Sequence, residues 1–155
     1  MIGNDSNDPP LYSEIVGNLW QGGTDDEDLV HKGSGRLPTH SDFREFEVVV
    51  SLSAYSLPMG WMVKEYRFGF PDGPTSDEIY AELEKIADYA YLDWKAGKKC
   101  LVRCQAGINR SGLVVALILM RDGMSAEDAI SLIRSKRGKY ALENQYFVEY
   151  LKSKI

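Results

Sequence analysis

Apolar and polar positions change along this chain in a pattern that predicts strands and helices in turn. Residues 14–22 predict a short hairpin, and the apolar run 48–52 is typical of a buried strand paired in parallel. Residues 62–68 predict a strand with a partly alternating pattern, and residues 99–103 predict another buried strand. Because strands alternate with helices, the predicted fold class is α/β, with a central, mainly parallel sheet flanked by helices.

Four helices are predicted, starting near residues 75, 111, 125 and 144 and ending near residues 96, 122, 136 and 152. The first is amphipathic, with Thr75 and Glu78 spaced as in a capping box and Gly97 suited to its C-terminal end. The second is apolar on all sides, which is typical of a helix in the centre of a domain. Ser125 suits the N-cap of the third helix.

The length of 155 residues fits a single domain, which we predict over residues 13–155, after a flexible leader at residues 1–12. The formal net charge of -5 disfavours nucleic acid or an anionic membrane as a partner, because both are bound through basic patches. No apolar run reaches membrane-spanning length, and no signal-peptide pattern is present at the N-terminus. Two cysteines are too few for a secreted disulfide framework, so we expect a cytoplasmic protein.

The segment between the last predicted strand and the second helix carries the candidate chemistry. The strand ends at Cys104, five mostly small residues follow, and Arg110 and Ser111 open the helix. A loop of this size can turn its backbone N–H groups inward, and the helix N-terminus adds positive potential, so the cavity suits a tetrahedral dianion. The predicted phosphate-binding residues are Gln105, Ala106, Gly107, Ile108, Asn109 and Arg110.

Each functional side chain of this loop has a predicted role. A positive field favours the ionised thiol, so Cys104 is the candidate nucleophile. The planar guanidinium of Arg110 can hold two phosphate oxygens at once. Gly107 permits a crowded backbone conformation. The Ser111 hydroxyl can stabilise the thiolate as the leaving group when a phosphocysteine is hydrolysed.

This segment resembles the signature of the cysteine-dependent protein phosphatases, which is a cysteine, five residues, an arginine and then a serine or threonine. The similarity to small dual-specificity phosphatases covers most of residues 13–152. It implies a dual-specificity-phosphatase-like catalytic domain that hydrolyses phosphotyrosine, and also phosphoserine or phosphothreonine, in a phosphoprotein substrate. It implies neither a metal nor a cofactor. One departure is Arg103, which stands where the family usually has histidine. Because neighbouring strand residues point to opposite faces, Arg103 need not touch the sulfur.

The candidate general acid is Asp72, in the turn Phe70-Pro71-Asp72-Gly73-Pro74. It lies 32 residues upstream of Cys104, a spacing similar to that of the acid in dual-specificity phosphatases. A carboxylic acid on a loop over the phosphate can protonate the departing oxygen. Asp77 and Glu78 are the rivals, although both have the position of helix-start residues. The resemblance further implies that Asn144 braces the phosphate loop, while its own sequence context suits a helix N-cap.

Three other functions remain as alternatives. Gly-Ile-Asn-Arg-Ser-Gly, residues 107–112, resembles the loop of RNA 5′-triphosphatases. A phosphoinositide phosphatase is less favoured, because its loop often carries a basic residue that this loop lacks between Cys104 and Arg110. A non-catalytic phosphoresidue-binding module is disfavoured because the chain has all four candidate catalytic groups. They are the Cys104 thiol, the Arg110 guanidinium, the Ser111 hydroxyl and the Asp72 carboxyl group. Cys100 lies four residues before Cys104 on the same strand, too far for a disulfide, and is predicted to be a core residue.

Overall fold

The computed structural model describes residues 9–24, 46–54, 56 and 63–154. Within these ranges the chain forms five strands and four helices: four strands come first, then one helix, the fifth strand and three helices. The strands are β1 (Tyr12–Val16), β2 (Leu19–Gly22), β3 (Val48–Ser51), β4 (Lys64–Arg67) and β5 (Cys100–Arg103). The helices are α1 (Asp77–Lys95), α2 (Arg110–Arg121), α3 (Ala126–Arg137) and α4 (Gln145–Ser153).

The five strands form one sheet in the order β1-β2-β5-β3-β4. Strands β1 and β2 pair in antiparallel fashion, and every other neighbouring pair is parallel. The predicted α/β class with a mainly parallel sheet is therefore confirmed. Strand β5 lies at the centre, so its carboxyl end opens at the edge where parallel sheets place their ligands.

The apolar core lies on one face of the sheet, around α2. Every residue of α2 from Ser111 to Leu119 is buried, and the helix packs against the other three helices and against β2 and β5. This agrees with the all-round apolar pattern of its sequence. A smaller cluster of Phe46, Val49 and Leu101 covers the opposite face of the sheet.

One predicted helix start is wrong by a residue. The N-cap of α1 is Ser76, whose Oγ accepts a hydrogen bond from Ile79 N (3.3 Å), and not Thr75. The third helical position is then Ile79, which has no carboxyl group to complete a capping box. The predicted cap of α3 is confirmed, because Ser125 Oγ accepts from Asp128 N at 3.1 Å. Gly97 follows α1 with a φ of 95°, as its predicted position requires.

The described part of the predicted leader contacts the domain. Leu11 O accepts a hydrogen bond from Gly23 N (3.0 Å), and Tyr12 already belongs to β1. Residues 1–8 lie outside the described residues, as does residue 62, the first residue of the strand predicted over residues 62–68. Among the helices that the structure describes, none combines the length and the hydropathy needed to cross a bilayer.

Candidate active site

The loop between β5 and α2 wraps its backbone around the Cys104 sulfur. Sγ accepts hydrogen bonds from Gly107 N (3.3 Å) and Ser111 N (3.4 Å) and lies 3.3 Å from Ser111 Oγ. The cysteine is almost fully buried beneath these groups. Two backbone N–H groups and one hydroxyl therefore surround the sulfur.

Several carbonyl groups of the loop are bound from outside. Gln105 O accepts from Thr24 N at 3.0 Å, and Ile108 O accepts from Leu142 N at 3.1 Å. Gly107 O accepts from the side chains of Gln21 and Arg137. Because these carbonyls face the surrounding structure, the loop can present its N–H groups to an anion above the sulfur.

Gly107 occupies a position that only glycine fills without strain. Its φ is 73°, and a Cβ atom there would lie 2.6 Å from Gly22 C and 2.7 Å from Gly23 N. Both contacts are with backbone, which has little room to move. The loop therefore needs glycine for its conformation and for its close approach to the end of β2.

Two buried side chains whose roles were not predicted from the sequence donate hydrogen bonds to the loop. Arg137 Nε (2.9 Å) and Gln21 Nε2 (3.1 Å) both donate to Gly107 O. Arg137 also donates to Ser13 Oγ (3.0 Å) and to Pro10 O. Burial lowers the pKa of Arg137, while its interaction with Cys104 opposes this shift. The sequence carries one signal for Gln21, a polar residue within an apolar strand.

Arg110 stands at the exit of the loop and joins it to the segment that carries Asp72. Its Nη1 donates to Phe70 O at 3.0 Å. Its Nε is buried and has no hydrogen-bond partner among the described residues. A fixed guanidinium with an unused donor is suited to an anionic ligand.

Asp72 is held beside the phosphate loop by two side-chain amides. Its Oδ2 accepts from Asn109 Nδ2 (2.9 Å), and its Oδ1 accepts from Asn144 Nδ2 (2.7 Å). Asn144 N in turn donates to Asn109 Oδ1 at 2.9 Å. The predicted acid, one residue of the loop and the predicted brace therefore meet. The rivals Asp77 and Glu78 are exposed in the first turn of α1.

Comparison with known proteins agrees with this geometry. The model of the family described as "Dual specificity phosphatase, catalytic domain" matches residues 40–154, which is most of the chain. The chain belongs to the dual-specificity phosphatase family. It is thus a protein-tyrosine/dual-specificity phosphatase domain, as the signature of the loop predicted.

Individual relatives show how far the similarity extends. A protein of invertebrate iridescent virus 6, named as tyrosine phosphatase 123R, is 32% identical over 103 residues, which are 63% of this chain and 67% of that protein. Tyrosine-protein phosphatase vhp-1 of Caenorhabditis elegans is 33% identical over 104 residues, which are 64% of this chain but only 16% of vhp-1. The crystal structure of human DUSP28 matches with a TM-score of 0.74 and 25% identity, covering 96% of this chain and 95% of DUSP28.

Asn144 makes two sets of contacts in this phosphatase domain. As the N-cap of α4, its Oδ1 accepts from Tyr146 N (2.9 Å) and Phe147 N (3.3 Å). Its remaining donors contact Asn109 and Asp72. The same side chain thus fixes the start of a helix and the position of the candidate acid.

We expect Asn144→Ala to reduce both stability and turnover. Loss of the cap should lower the free energy of unfolding by about 0.5–2 kcal/mol. Loss of the contact with Asp72 should also lower kcat, because the acid is less well positioned. Urea unfolding and steady-state hydrolysis of p-nitrophenyl phosphate measure the two effects. Ser125→Ala is the matched control, since it removes the cap of α3, outside the loop, and should affect stability alone. Equal kcat losses in both variants would contradict the positioning role.

Arg103, which replaces the usual histidine of the phosphatase family, points away from the sulfur. Its side chain is buried on the opposite face of the sheet, where Nε donates to Ser51 Oγ at 3.0 Å. Its guanidinium lies 3.6 Å from the Glu65 carboxylate, and Ser51 Oγ donates to the same carboxylate at 2.5 Å. The arginine therefore belongs to an ionic cluster on β3, β4 and β5 and not to the loop that follows Cys104.

Cys100 is a core residue, as predicted. Both cysteines are free thiols, and Cys100 is fully buried at the start of β5. Burial raises the pKa of Cys100 to about 12, with a further contribution from the negative charge of Asp93. This thiol is therefore neutral at physiological pH.

Proposed function

We propose that this domain hydrolyses phosphotyrosine in proteins, and phosphoserine and phosphothreonine as well, through a covalent phosphocysteine at Cys104. The observation that carries the proposal is a sulfur that accepts from two backbone N–H groups and lies beside the Ser111 hydroxyl, with the Asp72 carboxyl group fixed beside the same loop. A nucleophile, an anion-binding loop and an acid within one site are the requirements for acyl- or phosphoryl-group transfer through the enzyme.

In the first step the Cys104 thiolate attacks phosphorus, and the bond between phosphorus and the ester oxygen breaks. Asp72 in its carboxylic acid form gives its proton to that oxygen, so the alcohol or phenol leaves as a neutral molecule. Arg110 binds two non-bridging oxygens, and the loop N–H groups bind the charge that the transition state places on them. The products are the free hydroxyl side chain and the phosphocysteine.

In the second step water attacks the phosphocysteine. Asp72, now a carboxylate, accepts a proton from the water as the new oxygen–phosphorus bond forms. The sulfur–phosphorus bond breaks, and its electron pair returns to Sγ as a thiolate. The Ser111 hydroxyl, 3.3 Å from the sulfur, stabilises this leaving group. Inorganic phosphate departs and the starting enzyme is restored.

The breadth of the proposed substrate class is supported by the exposure of residues beside the loop. Asp72, Gln105 and Ala106 are all exposed. An open site would admit the short phosphoserine and phosphothreonine side chains as well as phosphotyrosine. The need for a free thiolate supports the cytoplasm as the place of action, since its thiols are kept reduced.

The RNA 5′-triphosphatase alternative is not favoured. The asparagine that gives the loop its similarity to that class, Asn109, uses its amide to hold Asp72. A net charge of -5 also opposes binding to RNA, which depends on basic residues. We therefore expect the domain to act on phosphoproteins and not on nucleic acid.

A substrate panel with trapping of the intermediate tests the proposal. Phosphotyrosine, phosphoserine and phosphothreonine peptides, triphosphate-ended RNA and a soluble phosphoinositide are compared by phosphate release. We expect the phosphotyrosine peptide to be turned over fastest and RNA not at all. Acid quenching with a ³²P-labelled peptide should place the label on the tryptic fragment that contains Cys104. Faster release from RNA or from the phosphoinositide, or turnover without any labelled enzyme, would overturn the proposal.

A further inference from the structure

The buried side-chain amide of Gln21 lies beside the loop that follows Cys104. Its side chain is fully buried at the end of β2, on the core face of the sheet. Its Nε2 lies 3.1 Å from Gly107 O and 3.2 Å from Ser111 Oγ. The two hydrogens of one NH₂ group can therefore serve both oxygens.

The orientation of this amide follows from chemistry. Gly107 O is a carbonyl oxygen and can only accept, so the atom that faces it must carry hydrogen. The reversed amide would place Oε1 against that carbonyl and remove both donations. In the observed orientation Oε1 has no partner among the described residues, although it is buried. The site thus keeps two donations at the expense of one unpaired acceptor.

The Ser111 hydroxyl then has one direction left for its hydrogen. A serine within a helix can donate to the carbonyl four residues earlier, which here is Gly107 O. Both lone pairs of Gly107 O already accept, from Gln21 Nε2 and from Arg137 Nε (2.9 Å). Ser111 Oγ itself accepts from Gln21, so its hydrogen is available to Cys104 Sγ at 3.3 Å.

We propose that Gln21 is a positioning residue that holds the Ser111 hydroxyl as a donor to the Cys104 sulfur. It acts through Ser111 and does not touch the substrate. The inference rests on the proposed function, because the donation matters most when the phosphocysteine is hydrolysed. In that step the sulfur–phosphorus bond breaks, its electron pair goes to Sγ, and the proton of the attacking water goes to Asp72. Loss of Gln21 should therefore slow hydrolysis of the phosphocysteine more than its formation.

Replacing Gln21 by an uncharged residue leaves the charged groups around the Cys104 sulfur unchanged. The Arg110 guanidinium belongs to the loop itself, and Arg137 from α3 interacts with Cys104 electrostatically. Asp72 is the acidic group of the neighbouring loop. Gln21 is uncharged, so its replacement by a side chain of similar length and no charge removes donors and leaves these groups in place.

The experiment is a double-mutant cycle on Gln21→Met and Ser111→Ala, measured by rapid quench with p-nitrophenyl phosphate. We expect each single variant to slow phosphocysteine hydrolysis on the order of tenfold, as for loss of one hydrogen bond to a charged group. The phosphocysteine should accumulate, and p-nitrophenol should appear in a burst. The double variant should be no slower than Ser111→Ala, because Gln21 acts through that hydroxyl. The pH at which iodoacetate inactivates half-maximally should rise in each variant.

Ile15→Val is the control for weakened packing in the same hairpin, and it should leave both steps unchanged. Multiplying effects in the double variant, or slowing of phosphocysteine formation alone, would overturn the role of Gln21. Failure of the proposed function would instead appear in the wild type, as turnover without a phosphocysteine. If Gln21→Met and Gln21→Leu both fail to fold, NMR of the wild type decides. Protected Gln21 amide protons near Ser111 support the inference, and rapidly exchanging ones overturn it.

Discussion

Replacing Cys104 by serine is expected to lower kcat for p-nitrophenyl phosphate by about 10⁴-fold or more. Serine keeps the shape of the side chain, but its hydroxyl is far less acidic than a thiol and is not ionised by the donors around it. The loop itself is unchanged, so a phosphotyrosine peptide should still bind. Stopped-flow or steady-state hydrolysis gives kcat, and isothermal titration gives the affinity for the peptide.

The second cysteine supplies the control for this result. Cys100→Ser alters the buried thiol at the start of β5, the strand that leads to Cys104. Burial raises the pKa of this thiol to about 12, and it lies outside the loop. We expect the kcat of this variant to stay close to that of the wild type, with some loss of stability from a buried hydroxyl. Comparable losses of activity in both variants would point to damage to β5 and not to loss of a nucleophile.

Asp72→Asn is expected to lower kcat by about 10²–10⁴-fold for phosphopeptides, because the departing oxygen no longer receives a proton. A phosphate ester with a very acidic phenol as its leaving group should lose much less, since that phenolate departs without help. Wild-type kcat should fall as pH rises and the acid loses its proton. This basic limb of the pH profile should be absent in the variant. Steady-state kinetics across pH with both kinds of ester makes the measurement.

Asp77→Asn is the matched change at the rival carboxylate. Asp77 is exposed in the first turn of α1, where it complements the helix dipole. Its loss should cost a little stability and leave the pH profile unchanged. A basic limb that survives in Asp72→Asn but disappears in Asp77→Asn would move the acid role to α1.

The parts of the molecule that depend on local pattern could be predicted from the sequence. Apolar runs and periodicity indicated the hairpin, the parallel strands and the buried helix, because each follows from which face a side chain must bury. The loop between β5 and α2 could be located because the residues suited to phosphate chemistry are concentrated between Cys104 and Ser111. The cap of α1 was assigned to Thr75 and not to Ser76 because two adjacent hydroxyl residues offer the same local signal.

The parts that depend on distant contacts could not be predicted in the same way. Gln21 lies far from Gly107 in sequence and meets it only because β2 pairs with β5. Asn109 was predicted as a backbone contributor, yet its side chain links Asp72 to Asn144. Such contacts depend on how strands and helices pack against one another. The residue pattern within one strand or helix therefore does not predict them.

The hairpin of β1 and β2 changes where this catalytic unit begins. The family model starts at residue 40, after both strands. Yet the hairpin and its flanks supply the donors and acceptors that reach the loop and Arg137, and β2 covers one side of the central strand β5. A chain starting at the family boundary would lack the Gln21 contact with Gly107 and would leave β5 as an edge strand, paired with β3 alone. The folded sheet that holds the loop therefore includes residues that precede the segment matched by the family model.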